Sequence, residues 1–388
     1  MMDLTSSICA NQFPDILETI QFLSQVDRGS ESLAGLAVTA EYLAGKLESL
    51  GCEVTWHPND AYGATIVGRK KGKGQARFLF FAHMDTIWPD GTCAEFPFRI
   101  EGNLAYGPGV SDCTPGIIGS LYALKTLNDL KFDDYGEIIL LFNPDEELTS
   151  PSSTQWIKHY AQDIDLAFCM EGPDNPDEFI SSRAGSAYYE MRVKGLMAHA
   201  GVEPEKGRNA LEELVFKLNR IQQRQIDDAY FCLCWINGGS GDCIVADNAY
   251  AMFRYRIRRF ETIDKIAAML AEVNATSFIE GTTTTITYWK DGGFGPLVKK
   301  PWVEKFCKLV EKTSADMNFP LKEGYSGGGD DAVSASLFAP TLDGLAPVSR
   351  GCHTRDERLE LDSIIPRTAL LATLIQQIST DRYYLRDF

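Results

Sequence analysis

The chain has 388 residues, which at about 100–200 residues per domain makes two domains and excludes a single small module. Hydrophobic residues at 44% and charged residues at 23% supply a sizeable core and exclude a mainly disordered chain. The net charge of −17 repels phosphate backbones and anionic lipid, which argues against nucleic acid and membrane surfaces as partners.

Asp15 to Leu23 and Gly35 to Leu50 carry apolar residues at helical spacing, the second stretch stopping at Gly51 as a glycine after a helix end should. Met1 to Leu23 contains Asp3, Asp15 and Glu18 and has neither the basic start nor the apolar core of a signal peptide. Three short apolar runs follow, Arg77 to Ala82, Ile138 to Phe142 and Leu166 to Met170. Such runs fit strands buried on both faces, and Ile117 to Leu127 between two of them reads as a crossover helix, so an α/β fold with a mostly parallel sheet and helices on both faces is expected. Each run is followed by ionisable residues: His83 and Asp85 after the first, Asp145, Glu146 and Glu147 after the second, Glu171 after the third. Ligands of open α/β sheets bind beyond the carboxyl ends of strands, so the three segments are expected to converge on one site.

Beyond Ser181 the pattern changes. Tyr188 to Val193 and Ala249 to Ile257 alternate, Ala210 to Gln223 and Ile263 to Val273 are helical, and Thr282 to Trp289 is a Thr-rich strand. Alternation with one polar face indicates an antiparallel sheet covered on one side by two helices. The expected division is a catalytic domain of residues 1–181 and 293–388 and an inserted α+β domain of residues 182–292, with the Gly-rich stretch Asp291 to Pro296 as the return linker. Lys305 to Met317 resumes helical spacing, and His353 follows another Gly-rich loop.

The ten cysteines are dilute and irregularly spaced, several inside apolar runs, and read as reduced, mostly buried thiols in a cytoplasmic protein. Cys232 and Cys234 lack the spacer of a redox or zinc pair and read as strand residues. No stretch approaches the ~18 apolar residues of a membrane span.

His, Asp and Glu at strand ends, with no cysteine placed to join them, form a nitrogen-and-oxygen set suited to zinc, manganese or cobalt, and to two ions if one carboxylate bridges. His83 and Asp85 fit a metal ligand with its orienting carboxylate, or a satisfied histidine at a strand end. Three adjacent carboxylates at 145–147 repel one another unless a cation sits among them, or else form a solvated acidic turn. Neighbouring glutamates also permit a division of labour, one binding metal and the other taking a proton from water.

The segment from His83 to Gly116 (HMDTIWPDGT, then FPFRIEGNLAYGPGVSD) resembles the metallopeptidase and deacylase family of glutamate carboxypeptidase, acetylornithine deacetylase, succinyl-diaminopimelate desuccinylase and the aminoacylases, and is most similar to the glutamate carboxypeptidase branch. The likeness continues in family order through NPDEE (143–147), MEGP (170–173), AHAGVEPEKGRNA (198–210), SGGGDDA (326–332) and CHTRDE (352–357). The resemblance implies two divalent ions, zinc with cobalt or manganese as alternatives. Asp112 would bridge them, His83 and Glu171 would hold one, Glu147 and His353 the other, and Asp85 would orient His83. Glu146 would be the general base toward the bridging water. His199 of the inserted domain, in the family from the partner subunit, would hydrogen-bond the oxyanion, which implies a homodimer. Arg256 would bind the substrate carboxylate, with Gly328 and Gly329 as backbone donors to it. The chain departs from the family pattern at Thr114-Pro115-Gly116, at Arg254 and at Cys243, which bears on the substrate rather than on the ligands or the base. The expected activity is release of a C-terminal amino acid, glutamate-like, from a peptide or N-acyl conjugate. An aminoacylase, an aminopeptidase or a metal-dependent binding protein without turnover are the alternatives.

Overall fold

The structure, a computed structural model, describes residues 4–289 and 293–385. The first residues of the N-terminal stretch and of the expected return linker, with the expected domain boundary at 292/293, lie outside the described residues. The chain divides into two compact units, one of Met1–Ser182, Lys299–Ser326 and Asp330–Phe388, the other of Arg183–Val298 with Gly327–Gly329.

Three N-terminal helices open the first unit: α1 (Leu4–Asn11), α2 (Phe13–Ser24) and α3 (Leu33–Ser49). Its main sheet contains β1 (Glu53–His57), β2 (Thr65–Lys71), β3 (Arg77–His83), β4 (Glu137–Asn143), β5 (Leu166–Cys169) and the two-residue strand Thr341–Leu342, in the order β1-β2-β4-β3-β5-(341–342). The apolar runs are strands because both their faces are covered: Phe78 to Phe81 and Ile138 to Phe142 are all buried. Parallel pairing joins β4, β3, β5 and Thr341–Leu342, while β2 runs antiparallel to both its neighbours. The edge strand β1 is half-exposed and β2 ends in Arg-Lys-Lys, so neither presents an unbroken apolar run. Helix α4 (Thr114–Asp129) is the crossover from β3 to β4. Pro115 in its first turn lacks only an N–H that would have no partner there. It packs along the C-terminal helix Ile364–Thr380.

The second unit is an antiparallel sheet of β6 (Gly185–Lys194), β7 (Ala229–Gly238), β8 (Asn248–Ile257) and β9 (Thr283–Trp289), in the order β7-β8-β6-β9, with helices α5 (Ala210–Gln222) and α6 (Glu261–Ala275). Alternate residues of β6 and β8, among them Tyr189, Met191, Phe253 and Tyr255, turn inward onto Leu214, Ile221, Ile266 and Leu270 of the helices. The helices are also stitched by charge. Buried Lys217 of α5 pairs with Glu213 at 3.3 Å and donates to the carbonyls of Val273, Asn274 and Thr276 at the end of α6, where a cation meets the negative end of the helix dipole. Strand β7 is an edge strand with Tyr230, Leu233, Trp235 and Ile236 exposed, and Cys232 and Cys234 lie on it.

All ten cysteines are free, five of them buried. No helix among the described residues is long and apolar enough to cross a membrane.

Candidate active site

Because β4, β3 and β5 are adjacent and parallel, their carboxyl ends lie side by side, with His83 opposite Asn143 and Phe81 opposite Cys169. The residues just past those ends therefore share one edge of the first unit. The structure also brings to that edge two residues from loops, Asp112 and His353. Asp112 Oδ1 lies 2.8 Å from His83 Nε2, and its other oxygen, Oδ2, lies 3.1 Å from His353 Nε2. Glu171 Oε1 is 3.5 Å from His83 Nε2, and Glu147 Oε2 is 3.3 Å from His353 Nε2. Two clusters result, His83–Asp112–Glu171 and Asp112–Glu147–His353, which share one carboxylate.

Chemically the donors fit hard divalent ions: two imidazoles and three carboxylates, close enough for one ligand atom from each member of a cluster to surround an ion. Cys113 is also near, but its Sγ donates to the Met170 carbonyl, and burial pushes the thiol pKa up. Hydrogen bonds to Asp112 and Glu147 raise the His353 pKa to about 10, and Asp112 and Asp85 raise that of His83 against the opposing effect of burial. Glu146, on the short 3-10 turn Glu146–Leu148 after β4, has its pKa pushed well above the carboxylate range by burial and by Glu171, Asp331 and Glu147 nearby.

Buried groups hold this edge in place. The fully buried Asp85 carboxylate sits 3.2 Å from His83 Nδ1, accepts the backbone N–H groups of both Glu146 and Glu147 at 3.2 Å, and accepts the Ser30 hydroxyl at 2.6 Å. One aspartate thus orients an imidazole and the turn bearing both glutamates. Asp145, the first of the three adjacent carboxylates, points inward and accepts from the Ser152 N–H at 2.6 Å and from the hydroxyls of Ser152 and Ser153, so it is structural. Beneath the turn, Asn143 donates to Asp331 at 2.7 Å. Gly116 lets α4 approach β5, since a Cβ there would lie 2.0 Å from the Met170 carbonyl oxygen. That approach sets Asp112 beside Glu171.

Sequence reasoning missed two buried groups. The Arg28 guanidinium donates to the carbonyls of Leu23, Met84, Asp85 and Gly109 and to Thr114 Oγ1. The Glu357 carboxylate accepts from the Gly109 N–H, Ser111 Oγ and the Trp88 indole at 2.6–2.8 Å. Together they tie the Asp85 and Asp112 loops to one another. Glu357 closes the CHTRDE motif, which was its available signal; Arg28 had none beyond a charge beside an apolar helix.

The other candidate residues belong to the second unit. His199 is exposed, and its Nδ1 accepts the backbone N–H groups of Gly201 and Val202 at 3.1 Å, which leaves the ring proton of the neutral imidazole on Nε2. Arg256 is half-buried on β8 and donates to Ser186 Oγ at 2.8 Å. Gly328 and Gly329 lie beside Arg183 and Phe294. Of the unassigned histidines, His57 stacks on Trp156 and bonds the Tyr160 hydroxyl at 2.9 Å.

An α/β domain with histidines and carboxylates gathered at its parallel strand ends is the framework of a metal-dependent hydrolase. The chain belongs to peptidase family M20/M25/M40, whose model matches residues 79–377. It is 29% identical over 382 residues to carboxypeptidase G2 of Pseudomonas sp. (strain RS-16), covering 95% of this chain and 90% of that protein. It is 24% identical over 349 residues to succinyl-diaminopimelate desuccinylase of Bordetella parapertussis, covering 84% and 88%. Among solved structures it resembles a tripeptidase from Staphylococcus aureus, with a TM-score of 0.84 at 18% identity over 95% of this chain and 99% of that one. It also resembles an M20 family metallo-carboxypeptidase from Sulfolobus solfataricus, with a TM-score of 0.73 at 14% identity over 94% and 99%. These two likenesses concern the fold alone.

Proposed function

We propose that the protein is a dinuclear zinc carboxypeptidase that releases a C-terminal amino acid from a peptide or N-acyl conjugate. The observation that carries this reading is the Asp112 carboxylate, whose two oxygens face two different histidines, as a bridge between two ions requires. His83 and Glu171 would complete one ion's shell, Glu147 and His353 the other's. Zinc ions bound there would acidify water and polarise the scissile carbonyl. Glu146 would take the proton from the attacking water and deliver it to the leaving nitrogen. Asp85 would hold His83 and the 146–147 turn in register. The ion-bearing residues would belong to a catalytic domain and residues 182–292 to a dimerisation domain.

Within that domain, the Nε2 proton of His199 suits a donor to the oxyanion of a partner's site, and the exposed apolar edge β7 offers a surface for a second copy. Mixing His199→Ala with Glu146→Gln subunits should restore part of the activity lost in each. A fully active monomer would remove this element of the reading.

Arg256, Gly328 and Gly329 would receive the free carboxylate of the leaving residue, a reading supported by the likeness to carboxypeptidase G2. Amidating that carboxylate removes a charge-assisted contact worth about 2–5 kcal/mol. Arg256→Lys should be nearly as damaging, because a point charge cannot reproduce the planar fork. The test is kcat/KM for matched C-terminal acids and amides. Amides cleaved as fast as acids would favour an aminopeptidase instead. The departures at Arg254, Cys243 and Thr114-Pro115-Gly116 leave the preferred side chain free to differ from glutamate.

A further inference from the structure

Beside Glu147, and wholly within the first unit, runs a groove of about 600 Å³ that the catalytic reading does not use. Its walls are the segments 29–32 and 86–90, joined by backbone hydrogen bonds from Ser30 N–H to the Thr86 carbonyl and from Thr86 N–H to the Arg28 carbonyl, both at 3.1 Å. Gly29 permits the junction, since a Cβ there would lie 2.1 Å from the Trp88 carbonyl oxygen. With Arg28 buried beneath and the Trp88 indole fixed on Glu357, the walls are built before any ligand arrives.

The lining has a definite chemistry. Ile87, Trp88, Pro89 and Leu148 give it an apolar surface, Glu31 and Asp90 sit exposed on its rim, and among the described residues no Lys, Arg or His lines it. Neither Glu31 nor Asp90 is ion-paired among the described residues. A free carboxylate needs a cation, and beyond the ion proposed at Glu147 the groove lining offers none, so the C-terminal residue of a substrate belongs elsewhere. Resting on the proposed carboxypeptidase reading, we infer that the groove holds the acyl side of the scissile bond and selects neutral or cationic apolar groups over anionic ones such as succinyl.

Binding can be read without turnover, using three hydroxamates that share a metal-anchoring head: hexanohydroxamate, its ω-amino analogue and its ω-carboxylate analogue. With the zinc-loaded protein at low ionic strength, calorimetry should give the ω-amino compound a Kd at least about ten-fold below that of the ω-carboxylate, with the neutral compound between them. Raising salt to about 1 M should shrink that spread, because the rim carboxylates are exposed to screening ions. In E31Q/D90N the spread should fall to about two-fold. Equal affinities in the unaltered protein, no binding of any of the three, or a spread that persists in E31Q/D90N would each overturn the inference. Because the hydroxamates are not hydrolysed, failure of C-terminal cleavage would count against the proposed function alone.

Discussion

Glu146→Gln is expected to retain its ions and lose turnover by about 10²–10⁴-fold, the contribution of a general base. Glutamine keeps the size of the side chain and the backbone N–H that Asp85 accepts, so the turn has no reason to move, but an amide cannot take a proton from water. Its neighbour should behave differently. Glu147 faces His353 across 3.3 Å, inside one of the two clusters, and Glu147→Gln should lose metal along with activity. Metal analysis beside kcat for the two variants separates base from ligand. Ion loss in Glu146→Gln with ion retention in Glu147→Gln would reverse the assignment.

The second large effect is that of chelation. Stripping the ions should abolish hydrolysis while leaving the fold intact, because in their absence Asp112, Glu147 and Glu171 are satisfied by the two histidines. In that state His353 has its pKa raised to about 10, and Asp112 and Asp85 raise that of His83 against the opposing effect of burial, so both histidines favour the protonated form. An incoming ion must displace those protons, so apparent metal affinity should rise as pH rises and binding should release protons. Calorimetry in buffers of differing ionisation enthalpy measures that release. Metal binding independent of pH would contradict it.

How much of this was legible in the sequence depended on burial. The cores of β3, β4 and β5 stood out because strands covered on both faces carry no polar residues, and their order set the ligand-bearing ends side by side. Strand β1 is half-exposed, and β2 breaks its apolar run at Gly68 before Arg-Lys-Lys, so neither has such a signature. The helix Ile364–Thr380 was missed although it lies deep in the core; Pro366 in its first turn reads as a break and its apolar residues surround it on nearly every side. At the site, His83, Glu147 and Glu171 were legible by type and position. Asp112 and His353 sit in loops without periodicity, and only the family resemblance singled them out. The hydrogen bond from Gly109 to Glu357 spans 248 residues of sequence, a pairing that no local pattern encodes. Residue type alone did not separate Asp145 from its two acidic neighbours; the resemblance gave roles only to Glu146 and Glu147, and Ser152 and Ser153 turn Asp145 inward.

The proposed dinuclear centre is most directly tested by measuring activity against the number of ions bound per chain, starting from chelated protein and adding back zinc. The shared Asp112 predicts no hydrolysis without metal and full activity only when both clusters are filled. Full activity in metal-free protein would contradict the mechanism, and a plateau at one ion per chain would contradict the bridge.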